Sequence, residues 1–140
     1  MRPEAILESA LYVTDLGAAK SFYAGVLGLD QISEAEGRHV FFRCGGGVLL
    51  LFDAAATRRP PAKDAALPVP PHGTTGEGHL CFAATGEEIT RWKAALEASG
   101  VAIEADFRWP SGGRSIYFRD PSGNSLEFAE PKIWPLAEEP

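Results

Sequence analysis

Residues 6–13 alternate with a period of two. Leu7, Ser9, Leu11 and Val13 fall on one side, and Glu8, Ala10 and Tyr12 on the other, which predicts a half-buried strand. The period then changes. Ala19, Phe22, Tyr23, Val26 and Leu27 recur at helical spacing, Asp15 precedes them as an N-cap and Gly28 follows as a stop, so a helix is expected over 16–27. Strands are expected over 30–36, 38–44 and 48–52, with Gly37 and Gly45-Gly46-Gly47 as the turns between them. Together these make βαβββ.

The pattern disappears over 54–76. This stretch holds Pro60, Pro61, Pro68, Pro70, Pro71 and several alanines, and it reads as a partly mobile linker. Alternation returns over 79–84, with His79, Cys81 and Ala83 opposite Leu80, Phe82 and Ala84. Thr85 and Glu88 have capping-box spacing for a helix running to Ser99, with Ile89, Trp92 and Leu96 on its apolar side and Gly100 at its end. Strands are expected over 101–109, 114–119 and 125–129. The last two flank Asp120-Pro121-Ser122-Gly123-Asn124, whose side chains and glycine suit a tight reversal.

The chain is therefore an internal repeat. The Glu8 strand matches the His79 strand, the run from Arg38 to Arg43 matches that from Arg114 to Arg119, and Leu50 matches Glu127 once one residue of slippage is allowed. The expected class is α+β: two βαβββ modules pairing their uncovered sheet faces into a cup. The boundaries are 1–53 for the first module, 54–76 for the linker, 77–130 for the second module and 131–140 for a tail, all in one structural domain. Ile133 and Trp134 give the tail an apolar part that needs a docking place.

Composition narrows the partners. A chain of 140 residues with 45% hydrophobic and 23% charged residues can bury a core of its own. Its net charge of −6 argues against nucleic acid or an anionic membrane as partner, and no apolar run nears the roughly 20 residues a membrane span needs. No signal peptide is evident. Cys44 and Cys81 read as buried free thiols in a reducing, cytoplasmic setting.

Parity also selects the candidate chemistry. Glu8, His79 and Glu127 each point away from the helix side, and an imidazole with two carboxylates suits a first-row divalent ion with open positions. The same parity equally permits a satisfied interior His79, with Glu127 paired to Arg43 or Arg119. His39, Phe41, Arg43, Phe52, Tyr117 and Arg119 share the cup side as candidate substrate contacts. The two arginines offer planar forks for a carboxylate or phosphate.

Several stretches carry a resemblance: Asp15-Leu16 leading to Phe22-Tyr23 and Val26-Leu27-Gly28-Leu29, then Gly78-His79-Leu80, then the run from Phe118 to Asn124 with Glu127 after it. Together they resemble the vicinal oxygen chelate superfamily of glyoxalases, bleomycin- and fosfomycin-resistance proteins and extradiol dioxygenases. The resemblance implies paired βαβββ modules around a divalent metal (Zn, Ni, Mn, Co or Fe), with ligands at Glu8, His79 and Glu127. The fourth ligand position, used in glyoxalase I, falls at or near Leu50, which has no lone pair to offer. The expected activity is that of a metal-dependent lyase or isomerase chelating two oxygens of a small substrate, with Glu127 or Glu8 as base. Two alternatives stand beside it. One is a metal-free protein that sequesters an antibiotic or other planar molecule. The other is an extradiol-type dioxygenase, disfavoured because Glu8 stands where a histidine is usual. The family builds its cup from modules of one chain or of two, and Tyr12 and the tail need cover, so a homodimer is expected.

Overall fold

The computed structural model describes residues 1–136. The last four residues of the expected tail, 137–140, lie outside the described residues. The chain divides into two compact units, Met1–Gly78 and His79–Pro140, and each carries one βαβββ module.

In the first unit, β1 (Glu8–Tyr12), β2 (Asp30–Ala35), β3 (His39–Cys44) and β4 (Gly47–Phe52) form a sheet of order β1-β4-β3-β2. β1 runs parallel to β4, and the other neighbours are antiparallel. Asp15 caps α1 (Leu16–Ser21) by accepting from the Ala18 amide at 2.9 Å. The expected helix does not stay α-helical to its end: Phe22–Val26 is a π-helical turn. This widening places Phe22 and Tyr23, both buried, edge to face at 5.3 Å, with Tyr23 against Phe42. Leu11, Val13, Val40, Leu49 and Leu51 complete the buried helix side of the sheet, as their parity requires.

Residues 54–76 do not hang free between the modules. Asp53 caps α2 (Ala54–Thr57) by accepting from the Ala56 amide, and the His72 amide returns to donate to Thr57 O at 3.0 Å. Tyr12 and His72 then join at 2.7 Å, hydroxyl to Nδ1, which ties the Pro-rich segment to the first sheet.

The second unit repeats the plan. β5 (His79–Ala83), β6 (Ala105–Arg108), β7 (Arg114–Arg119) and β8 (Ser125–Ala129) are ordered β5-β8-β7-β6. The capping box of Thr85 and Glu88 opens α3 (Gly86–Ala98), which buries Ile89 and Leu96 and stacks Trp92 on Phe128 at 4.7 Å. The strand expected over 101–109 is shorter, because pairing begins at Ala105 opposite Tyr117. The turn before β8 is fixed from inside. Buried Asp120 accepts from the amides of Ser122 and Asn124, and the Asn124 side chain donates to its second oxygen, each at 2.9 Å. Gly123 supplies the positive φ, 86°, that closes the turn. In the tail, Ile133 lies against buried Gly113, whereas Trp134 remains exposed. Both cysteines are free, but neither is fully buried: Cys44 is half-buried and Cys81 exposed.

Candidate metal and substrate site

Register places the candidate residues in rows. In the second sheet His79 lies opposite Ser125, and Cys81 opposite Glu127, which in turn lies opposite Tyr117. In the first sheet Glu8 lies opposite Val48, and Ala10 opposite Leu50, which lies opposite Phe41. Counting from the first strand of each module, Leu50 thus occupies the position that Glu127 occupies in the second.

Glu127 is the most constrained of these groups. It is only 4% exposed, a burial that a carboxylate tolerates only with partners. The Ser115 hydroxyl donates to its Oε1 at 2.6 Å, and the Trp109 indole donates to Ser115 Oγ at 2.8 Å. His79 Nε2 stands 3.3 Å from its Oε2. The other ring nitrogen of His79, Nδ1, is 2.9 Å from Ser125 O, and a carbonyl can only accept. Nδ1 therefore carries a proton, and in the neutral ring Nε2 presents its lone pair on the side of Glu127. A carbonyl-anchored imidazole beside an oriented carboxylate is the donor chemistry of a divalent-metal ligand pair. These two residues would suit such an ion as members of a larger donor set.

The neighbours of the pair are kept protonated. Partial burial and then the Glu127 carboxylate push the Cys81 thiol up to about 12, so it offers no thiolate at neutral pH. Burial and hydrogen bonding to Glu127 raise the Tyr117 hydroxyl to about 12 as well. Tyr117 is also stacked near His79 at 6.1 Å. Among the described residues no three His, Cys, Asp or Glu side chains gather closely enough to hold a metal by themselves.

The remaining candidates separate by unit. Glu8, His39, Phe41, Leu50 and Phe52 line one cavity of about 1060 Å³ within the first unit. Arg43 is on the same sheet face, exposed, two residues along β3 from Phe41. Arg119 spends its guanidinium on a two-pronged ion pair with Glu104, at 2.7 and 2.9 Å, and donates to Gly123 O. Sequence reasoning missed Ser115 and, through it, the link from Trp109 to Glu127. The available signal was a lone serine on the Tyr117 face of a strand that is otherwise apolar, aromatic or basic.

The family model of the Glyoxalase/Bleomycin resistance protein/Dioxygenase superfamily matches residues 5–128. The chain belongs to this superfamily. Among solved structures it is similar to a lactoylglutathione lyase from Agrobacterium tumefaciens, with 44% identity over 97% of this chain and 100% of the other, and a TM-score of 0.91. An integron cassette protein from the mobile metagenome of the Halifax Harbour sewage outfall is 25% identical over 91% of this chain and 99% of the other, with a TM-score of 0.71. The fosfomycin resistance protein FosX of Listeria monocytogenes, 20% identical over 91% of each chain, shares the fold at a TM-score of 0.66. The comparison with curated proteins found no match. The superfamily confirms the α+β class of two βαβββ modules expected from the repeat, and no helix among the described residues is long and apolar enough to cross a membrane.

Proposed function

We propose that the protein is a divalent-metal lyase or isomerase of the glyoxalase type. The observation that carries this is the His79–Glu127 pair, 3.3 Å apart, with His79 anchored by Ser125 O and Glu127 by Ser115. Glu8 joins as the third donor in a homodimer of the chain. The ion supplies a Lewis acid for two adjacent oxygens of a small substrate. The chain supplies the rest. The Ser115 bond holds one Glu127 oxygen in place, so the other is aimed at the His79 side. A carboxylate of Glu8 or Glu127 takes the proton next to a carbonyl and returns it to the neighbouring carbon. Protonated Tyr117 and Cys81 keep further negative charge away from the pair. Substrate contacts come from His39, Phe41 and Phe52 in the first unit and from Tyr117 in the second, with Arg43 at the sheet end, whereas Arg119 is taken up by Glu104 and Gly123 O.

The similar lyase is named for lactoylglutathione, a thioester with the combined atoms of methylglyoxal and glutathione. Formation of that thioester from the two compounds, with each of Zn, Ni, Mn, Co and Fe(II), is the activity to assay. Metal binding is read separately by melting. A ligand at a hundredfold excess over its Kd stabilises the native state by about 2.7 kcal/mol. Glu127→Ala should abolish that shift, and Leu50→Ala should keep most of it. Equal shifts in wild type and Glu127→Ala would place the ion elsewhere and refute the assignment. Light scattering should give twice the 15.0 kDa chain mass; a monomer at micromolar concentration would refute the dimer.

The second reading is sequestration of a planar molecule without chemistry. The apolar Leu50 at the position equivalent to Glu127, and the aromatic wall beside it, favour it. A protein that shows no metal-induced shift would carry this reading instead.

A further inference from the structure

The cavity of the first unit is built from two layers. One is the sheet face. The His39 ring lies flat on Phe41, with centroids 4.0 Å apart and planes 8° apart, and Phe41 meets Phe52 edge-on at 5.4 Å. The other is the Pro-rich segment, fastened by His72. That ring meets Phe52 edge-on at 4.7 Å and holds the Tyr12 hydroxyl. Leu67 and Val69, both lining the cavity, keep 82% and 52% of their surface exposed. Apolar side chains held open beside an aromatic wall leave a surface that gains by being covered. One polar atom also lacks a partner: His39 Nδ1 is buried without a hydrogen bond among the described residues. The surrounding protein encloses this atom, so it is not a group that the cavity presents. Burial, with the charge of Arg38, holds the His39 pKa below its ordinary value, so the ring is neutral at pH 7 and calls for no counter-ion.

We propose that the first unit seats a planar aromatic group of about two fused rings between this face and the 59–72 segment. Planarity follows from the stacked and edge-on rings, whose quadrupoles reward another flat ring over an aliphatic group of equal size. The length follows from the register. The Phe41 row and the His39 row are two residues apart, about 6.6 Å, and Glu8 lies a further two residues along β1 from the Phe41 row. The aromatic part would thus occupy the His39 and Phe41 rows and leave the Glu8 row to the polar end of the substrate. This deepens the second reading above, sequestration of a planar molecule, on which it rests, and binding of the aromatic part needs no metal.

The full chain, stripped with EDTA, is titrated by calorimetry with 2-naphthol and with decahydro-2-naphthol, and amide NMR shifts locate the site. 2-Naphthol should bind about tenfold tighter than its saturated counterpart. Its shifts should centre on Phe41, Phe52 and His72. Phe41→Leu should erase the preference. Equal affinity for the two alcohols in the wild-type protein, or shifts centred in the second unit, would overturn the proposal without any variant having to fold. Naphthol binding without a metal-induced melting shift would leave this site standing and sink the metal reading; the reverse result would sink only this one.

Discussion

Ser115→Ala tests whether Glu127 is held as an ionised, oriented group. Ser115 is wholly buried, Glu127 is 4% exposed, and their 2.6 Å bond is one of the shortest in the second unit. Removing the hydroxyl strands a buried carboxylate oxygen and deprives the Trp109 indole of its acceptor. A hydrogen bond to a charged group contributes about 1.5–3 kcal/mol, so a loss of about 2 kcal/mol is expected. With roughly 2.1 cal/mol/K of unfolding entropy per residue, a 140-residue chain melting as one unit should lose about 7 °C in Tm. The control is a double-mutant cycle with Glu127→Gln, measured by calorimetry and by urea unfolding. A neutral acceptor makes the Ser115 bond weaker, so Ser115→Ala should cost about 1 kcal/mol less in that background. A cost below about 0.5 kcal/mol in the wild type, or an equal cost in both backgrounds, would show that Glu127 does not rely on this donor as a charged group.

Two further outcomes follow from ionisable groups of the second unit. Hydrogen bonds from Arg114 and then Lys93 hold the Asp106 carboxyl well below the usual carboxylate range. A depressed folded pKa gives stability that is present above the unfolded value of about 3.9 and lost as pH falls below it. Melting temperature should therefore drop more steeply below pH 4 in the wild type than in Asp106→Asn; parallel profiles would contradict this. Cys81, with its thiol near 12, should react with iodoacetamide at pH 8 at least about a hundredfold more slowly than free cysteine, and Glu127→Gln should speed it. Rapid alkylation of Cys81 in the wild type, read by mass spectrometry, would remove the carboxylate from its surroundings.

Much of the fold could be read from the sequence because strand and helix periods change sharply at Asp15, Gly28 and Thr85. Parity put Leu11 and Val13 on the buried side and Glu8 on the open one, as found. The pairing of Leu50 with Glu127 was legible because the two modules keep the same order of elements. The Pro-rich segment was not, since its order comes from single long-range contacts such as Tyr12 to His72, separated by 60 residues, which leave no periodic trace. The π-helical turn was also hidden: Phe22 and Tyr23 satisfy a helical stripe whether the turn is tight or wide. The Trp109–Ser115–Glu127 chain links β7, β8 and the loop after β6, and nothing local to any of the three announces it.

The position of each proposed donor's strand within its sheet sets how firmly that residue is held. β8 lies between β5 and β7, so the backbone under Glu127 is laced on both sides. β1 and β5 each have one neighbour in their own sheet, so Glu8 and His79 ride on margins laced on one side only. A marginal strand can shift by fractions of an ångström without unzipping the sheet, whereas an interior one cannot. In the proposed donor set, one firmly held member and two adjustable ones would follow a change in coordination number, or ions of different radius, while the charge stayed in one place. Tolerance for several metals would then be a property of strand order before it is a property of any side chain.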